Sequence, residues 1–141
     1  MNAAKSTSSR HVSRRRALEI LYEADVRRAE LRATLDRARD DTHAEPLDRF
    51  ARELVAGVAD HLDEIDGLIE RHARGWTVAR MPFVDRNILR LGIHELLQGD
   101  TPPAVVIDEA VELAKDLSTE ASPRYVNGVL SAVLRDRGPD G

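Results

Sequence analysis

Between residues 10 and 16 the chain reads Arg10-His11-Val12-Ser13-Arg14-Arg15-Arg16, four guanidinium groups in seven residues. A guanidinium stays charged, grips phosphate through two parallel hydrogen bonds and stacks on bases, so a cluster of Arg without Lys favours RNA as its ligand. Tyr22 follows about two helical turns further on and offers a ring for a base to stack on. A second group of the same type, Arg124-Tyr125 with Asn127 beside it, lies near the C-terminus. Each has a plainer alternative: a solubilising, unstructured N-terminus for the arginines, and packing at the rim of a core for the tyrosines.

Other chemistry is hard to find. There is no cysteine, which excludes disulfides, zinc thiolates, iron–sulfur clusters and thiol nucleophiles. His94-Glu95 is followed by Gln98 where a two-His zinc helix needs His. No phosphate loop, nucleophile elbow or dinucleotide fingerprint is present. Asp108 and Glu112 can share a helix face, but with Lys115 nearby they read as a solvated face laced by ion pairs. These patterns point away from an enzyme and away from any metal or cofactor.

The net charge of −4, from 21 Lys and Arg against 25 Asp and Glu in 141 residues, hides an asymmetry. Residues 1–16 carry Lys5, Arg10, Arg14, Arg15 and Arg16 and no acid, giving +5, while residues 17–141 hold 16 basic and 25 acidic groups, giving −9. A basic arm is joined to an acidic body. No apolar run approaches the roughly 18–20 residues of a membrane helix, and the start is polar, so a cytoplasmic protein without a membrane partner is expected.

The elements that hold these residues are helical. Strong helix formers dominate from Arg14 to Arg135, without β-branched alternation or hairpin turns, and Asn127-Gly128 falls inside an apolar helical pattern. A first helix is expected from about Ser13 to about Arg39, with Ala17, Leu18, Leu21 and Ala24 inward and a charged second half prone to break. Pro46 is suited to open the next helix, with Leu47, Phe50, Ala51, Leu54, Val55, Val58 and Leu62 inward and a continuation or restart near Asp63. Pro82 opens a third, apolar on more than one face and therefore central. Gly99 with Pro102-Pro103 makes a sharp stop, and Ser122-Pro123 reads as an N-cap and first helical residue. The expectation is an all-α, compact single-domain bundle of five to seven helices: a disordered tail over 1–9, a helical RNA-binding domain over 10–135 that includes the basic arm 10–16, and a flexible tail over 136–141.

With those elements placed, the chain resembles the NusB family of bacterial transcription antitermination factors. The resemblance is carried by Arg14-Arg15-Arg16-Ala17 with Leu21-Tyr22, by Leu54-Val55-Ala56-Gly57-Val58, and by Asn87-Ile88-Leu89-Arg90-Leu91 with His94-Glu95-Leu96. It continues through Ala104 to Lys115 and through Tyr125-Val126-Asn127-Gly128-Val129-Leu130, in order and at family-like spacing. The resemblance implies a non-enzymatic factor that binds boxA RNA of ribosomal RNA leaders together with the ribosomal protein NusE. The pair is then delivered, with other Nus factors, to RNA polymerase. It also implies RNA contacts from Arg10, His11, Arg14, Arg15, Tyr22, Arg124, Tyr125 and Asn127, and partner contacts from Asp85 and Glu109.

Tyr125 stands where the family often has Phe, and Ala121 where it often has an acid. Gly128 is read as allowing close approach of another element, while Asn127 suits either a structural or an RNA-binding role. NusB-like domains also open ribosomal RNA cytosine methyltransferases, of which a chain ending at Gly141 would be a fragment; a protein adaptor whose arm makes no RNA contact is a further alternative. The same apolar faces can close a core or a homodimer, and a dimer that hid the arm would be a storage form. If the arm is a solvated phosphate binder, replacing Arg14 and Arg15 with Ala weakens boxA binding and flattens its salt dependence without moving the melting temperature.

Overall fold

Apolar residues spaced by three and four, interrupted by Gly and Pro, divide the chain into helices. The computed structural model describes residues 3–137, and among them are seven α-helices, one short 3-10 turn and no strand. The helices are α1 (Ala3–Arg27), α2 (Leu31–Asp40), α3 (Arg49–Asp60), α4 (Leu62–His72), α5 (Phe83–Gln98), α6 (Pro103–Leu117) and α7 (Ser122–Arg137), with the 3-10 turn at Val78–Arg80. The all-α expectation holds. Contacts gather into two compact units, Met1–Asp60 and His61–Gly141, a boundary that coincides with the restart of the helix at Leu62.

In the first unit α1 buries Ala17, Leu18, Ile20, Leu21 and Ala24. It begins at Ala3, so residues 3–9, expected to be unstructured, continue the helix; residues 1–2 and 138–141 of the expected tails lie outside the described residues. The charged half does break. Arg28 adopts a left-handed φ of 54°, Ala29 N–H donates to the Ala24 carbonyl at 2.9 Å, and Glu30 caps α2 by accepting from Ala33 N–H at 3.2 Å. Pro46 does not open α3. The helix starts at Arg49 because Asp48 accepts from Ala51 N–H at 2.9 Å, a side-chain cap that Pro cannot supply. Asp48 also accepts from the Ser13 hydroxyl, tying α1 to α3.

The second unit is organised around α5, whose residues from Asp85 to Leu96 are all buried. α4, α6 and α7 all pack on it. Its polar groups are satisfied internally. Arg90 donates to both oxygens of Asp66 on α4 at 2.8 Å each, and to the Asn87 Oδ1 at 3.1 Å. Asn87 donates to the Phe83 carbonyl at 2.8 Å, and Arg86 donates to the Val78 carbonyl at 3.0 Å. Gly99 caps α5 with φ 79°, its N–H donating to the Glu95 carbonyl at 3.1 Å, and Pro102 precedes α6 as the stop signal predicts.

Where α5 meets α7, a Cβ at Gly92 would stand 2.8 Å from Cδ1 of the fully buried Leu130. Gly92→Val should therefore destabilise by about 1–3 kcal/mol through overpacking. Denaturant titration measures this as a lowered midpoint; an unchanged midpoint would show that Leu130 yields without cost.

Candidate nucleic-acid interface

On α1 the clustered arginines take different environments. Arg14 is only 3% exposed, with its guanidinium 5.2 Å from the centre of the Phe50 ring, and Arg10 stacks over the same ring at 4.1 Å. Each such contact contributes about 0.5–1 kcal/mol, more where water is excluded. Arg16 pairs with Glu19 at 3.5 Å, and His11 is half-buried. Arg15 is exposed with no ion pair among the described residues, and Tyr22, 43% exposed, lies seven residues along, on the same face. Arg10, Arg15 and Tyr22 thus meet solvent, whereas Arg14 is built into the packing. Its removal would cost stability, contrary to the expectation from the sequence.

In the second unit Arg124 and Tyr125 line a cavity of about 410 Å³ together with Arg71, His72, Arg74, Gly128, Val129, Ala132 and Arg135. The α7 members fall at one-turn intervals, which puts them on one helical face; Arg71 and His72 come from the end of α4 and Arg74 from the turn after it. Arg71 faces Asp136 at 3.6 Å; Arg74, Arg124 and Arg135 have no ion pair among the described residues. His72 Nε2 lies 3.4 Å from Asp136 without hydrogen-bond geometry, and among the described residues both this nitrogen and the Tyr125 hydroxyl are buried with no hydrogen-bond partner. Burial of the Tyr125 hydroxyl, reinforced by the negative charge of Asp85, raises its pKa above the ordinary tyrosine value.

Gly128 is exposed, and a side chain there would meet nothing within 4 Å. No element approaches it, unlike Gly92, so the expected close contact is absent. Glycine inside a helix costs about 0.5–1 kcal/mol relative to Ala, and here packing offers no return; what its missing side chain leaves is room in the cavity. Asn127 is exposed and outside the lining, accepting from the Ser131 hydroxyl at 3.4 Å.

Asp85, an expected partner contact, is buried at 7% exposure. Its two oxygens accept from the Ser118 hydroxyl at 2.5 Å and the Ser122 hydroxyl at 3.0 Å, and Ser122 also meets Thr119 Oγ1 at 2.7 Å. Ser122 is therefore the first residue of α7 with its hydroxyl committed to Asp85, in place of the expected N-cap. This latch fixes the turn from which Arg124 and Tyr125 project. Glu109 is half-buried on α6, and Lys115 pairs with Glu112 at 3.9 Å as a solvated face predicts. Sequence reasoning missed Arg71, His72, Arg74 and Arg135; the eleven-residue interval from Arg124 to Arg135, about three turns, places Arg135 on the face of Arg124, and no local spacing signals the other three.

The described residues thus form an all-helical fold with exposed arginines on α1 and α7. The chain belongs to the NusB family, whose model matches residues 11–135. It is 46% identical over 138 residues to the transcription antitermination protein NusB of Thermobifida fusca (strain YX), covering 97% of this chain and 96% of the relative. Its fold matches that of T. maritima NusB with a TM-score of 0.81 and 36% identity, over 93% of this chain and 94% of that one. It also matches a chain from the crystal structure of antitermination factors NusB and NusE in complex with dsRNA, with a TM-score of 0.77 and 32% identity over 90% of this chain and 96% of that one.

Asp85→Ala removes the acceptor for two hydroxyls and should lower stability by about 1–3 kcal/mol, with Asp85→Asn retaining part of it, both read by thermal melting. Tyr125 gives a pH test. Because its pKa is raised in the folded state, the unfolded chain loses that proton first, so stability is intact below the ordinary tyrosine pKa of about 10 and falls as pH climbs through it. Tyr125→Phe should flatten this alkaline loss in melts recorded across that range.

Proposed function

We propose that this protein is a transcription antitermination factor that binds boxA RNA of ribosomal RNA leaders together with the ribosomal protein NusE, and that the pair promotes read-through by RNA polymerase. What carries this function is the presence, among the described residues, of exposed arginines without ion pairs, Arg15 on α1 and Arg124 on α7 among them, in a chain whose net charge is −4. Such groups leave their charge available to a polyanion. The similar chain from the crystal structure of NusB and NusE in complex with dsRNA supports the reading, since that protein is found with NusE and with an RNA.

Arg10, Arg15 and Tyr22, with His11 at their edge, contact RNA from α1; Arg124, Tyr125 and Asn127 do so from α7. Arg14 contributes by packing on Phe50, the ring that also seats Arg10. NusE, as a basic partner, meets the acidic body, with Glu109 as a contact; Asp85 contributes by holding the α6–α7 turn. RNA and protein binding reinforce each other as coupled equilibria.

Titration of a labelled boxA oligonucleotide against a scrambled control, with and without NusE, tests this. The boxA strand should bind more tightly, and NusE should raise its affinity. Arg15→Ala should weaken binding and lower the slope of log K against log salt by about 0.7, the single-strand value for one phosphate contact, with an unchanged melting temperature. Arg14→Ala should lower the melting temperature. Equal affinity for the scrambled strand, indifferent to NusE, would refute the proposal.

A further inference from the structure

We infer that the cavity between α4 and α7 is a seat for a phosphodiester of the bound RNA strand, made by Arg71, Arg74 and Arg135 in addition to Arg124. The inference deepens the RNA-binding function proposed above and rests on it. It starts from charge. Residues 61–141 hold nine Lys and Arg against fourteen Asp and Glu, yet four of those nine, all arginines, line one cavity, where among the described residues only Arg71 of the four has an ion pair, with Asp136. Gathering like charges in an acidic unit is unfavourable unless an anion offsets it.

Two further observations point to a ligand. The Tyr125 hydroxyl and His72 Nε2 belong to lining residues and are buried with no hydrogen-bond partner among the described residues, so hydrogen-bonding capacity is left unused beside the cavity. Gly128 keeps the wall open at a helical position where packing would accept a side chain. The volume of about 410 Å³ lies in the range of small-molecule sites and has room for one nucleotide unit. The non-bridging oxygens of a phosphodiester match the paired N–H groups of guanidinium, and the Tyr125 ring offers its face to the attached base.

Inorganic phosphate or a free mononucleotide presents the same chemistry, so the test separates the sources. The full chain, its Arg74→Ala/Arg135→Ala variant, Gly128→Ala, Gly128→Leu and the arm variant Arg15→Ala are titrated with labelled boxA RNA over a salt series, alongside thermal melts. Calorimetric titrations with UMP and with inorganic phosphate run in parallel. The double Arg variant should lose about tenfold in RNA affinity and lower the salt slope by about 1.4, two single-strand phosphate contacts. Gly128→Leu should weaken RNA binding several-fold with an equal or higher melting temperature, and Gly128→Ala should have the smaller effect. Wild-type affinity and slope in the double Arg variant, with Arg15→Ala still impaired, would overturn the seat and leave the RNA-binding function standing. Binding of UMP or phosphate that these substitutions abolish while RNA binding is untouched would overturn it in favour of a free-phosphate site. Absence of RNA binding by the unaltered chain would overturn both.

Discussion

Twelve consecutive residues of α5, Asp85 to Leu96, lie out of water, and several of them are charged. A buried charge without a partner is too costly to keep, so each one dictates the place of a neighbour. Arg90 requires Asp66, which fixes α4; Arg86 requires the Val78 carbonyl, which fixes the 3-10 turn; Asp85 requires the Ser118 and Ser122 hydroxyls, which fix the start of α7. The cavity is lined by residues of α4, of the turn after it and of α7, and each of the two helices is tied to α5 through a carboxylate, the half-buried Asp66 and the buried Asp85. Its geometry is therefore set by polar contacts that do not line it.

Most of the fold was legible in the sequence because it rests on local rules. Periodic apolar spacing located the buried faces, and Gly99 with Pro102-Pro103 marked the stop between α5 and α6. The errors lie where a side chain outcompeted a propensity. Asp48 displaced Pro46 as the start of α3, and the capture of Ser122 by Asp85 removed it from the capping position. The cavity was only half legible. Arg124 and Tyr125 stood out as neighbours, but their association with Arg71 and Arg74 depends on helix packing across about fifty residues of chain, which no local pattern encodes. Burial of Arg14 was hidden for the same reason: its partner Phe50 belongs to α3.

Net charge is a poor guide to what such a chain binds. The two units differ in charge, near-neutral for residues 1–60 with twelve basic and eleven acidic groups, and acidic for residues 61–141. Within each, the arginines without ion pairs matter more than the total, because ion-paired ones such as Arg90 with Asp66 are already neutralised. A partner of either sign can find a matching face on one small protein. That suits an adaptor that has to hold a polyanion and a basic protein together.

The stacking of Arg10 and Arg14 on Phe50 has a thermodynamic consequence. A free arginine side chain carries about 2 kcal/mol of rotamer entropy, which a ligand must freeze out when it recruits that group. Here the aromatic ring has removed part of that freedom from the exposed Arg10 in advance, while Arg14 beneath it stays in the packing. Association with RNA should then be less opposed by entropy than for a flexible arginine-rich tail. The benefit is a complex that dissociates more slowly at the same number of phosphate contacts.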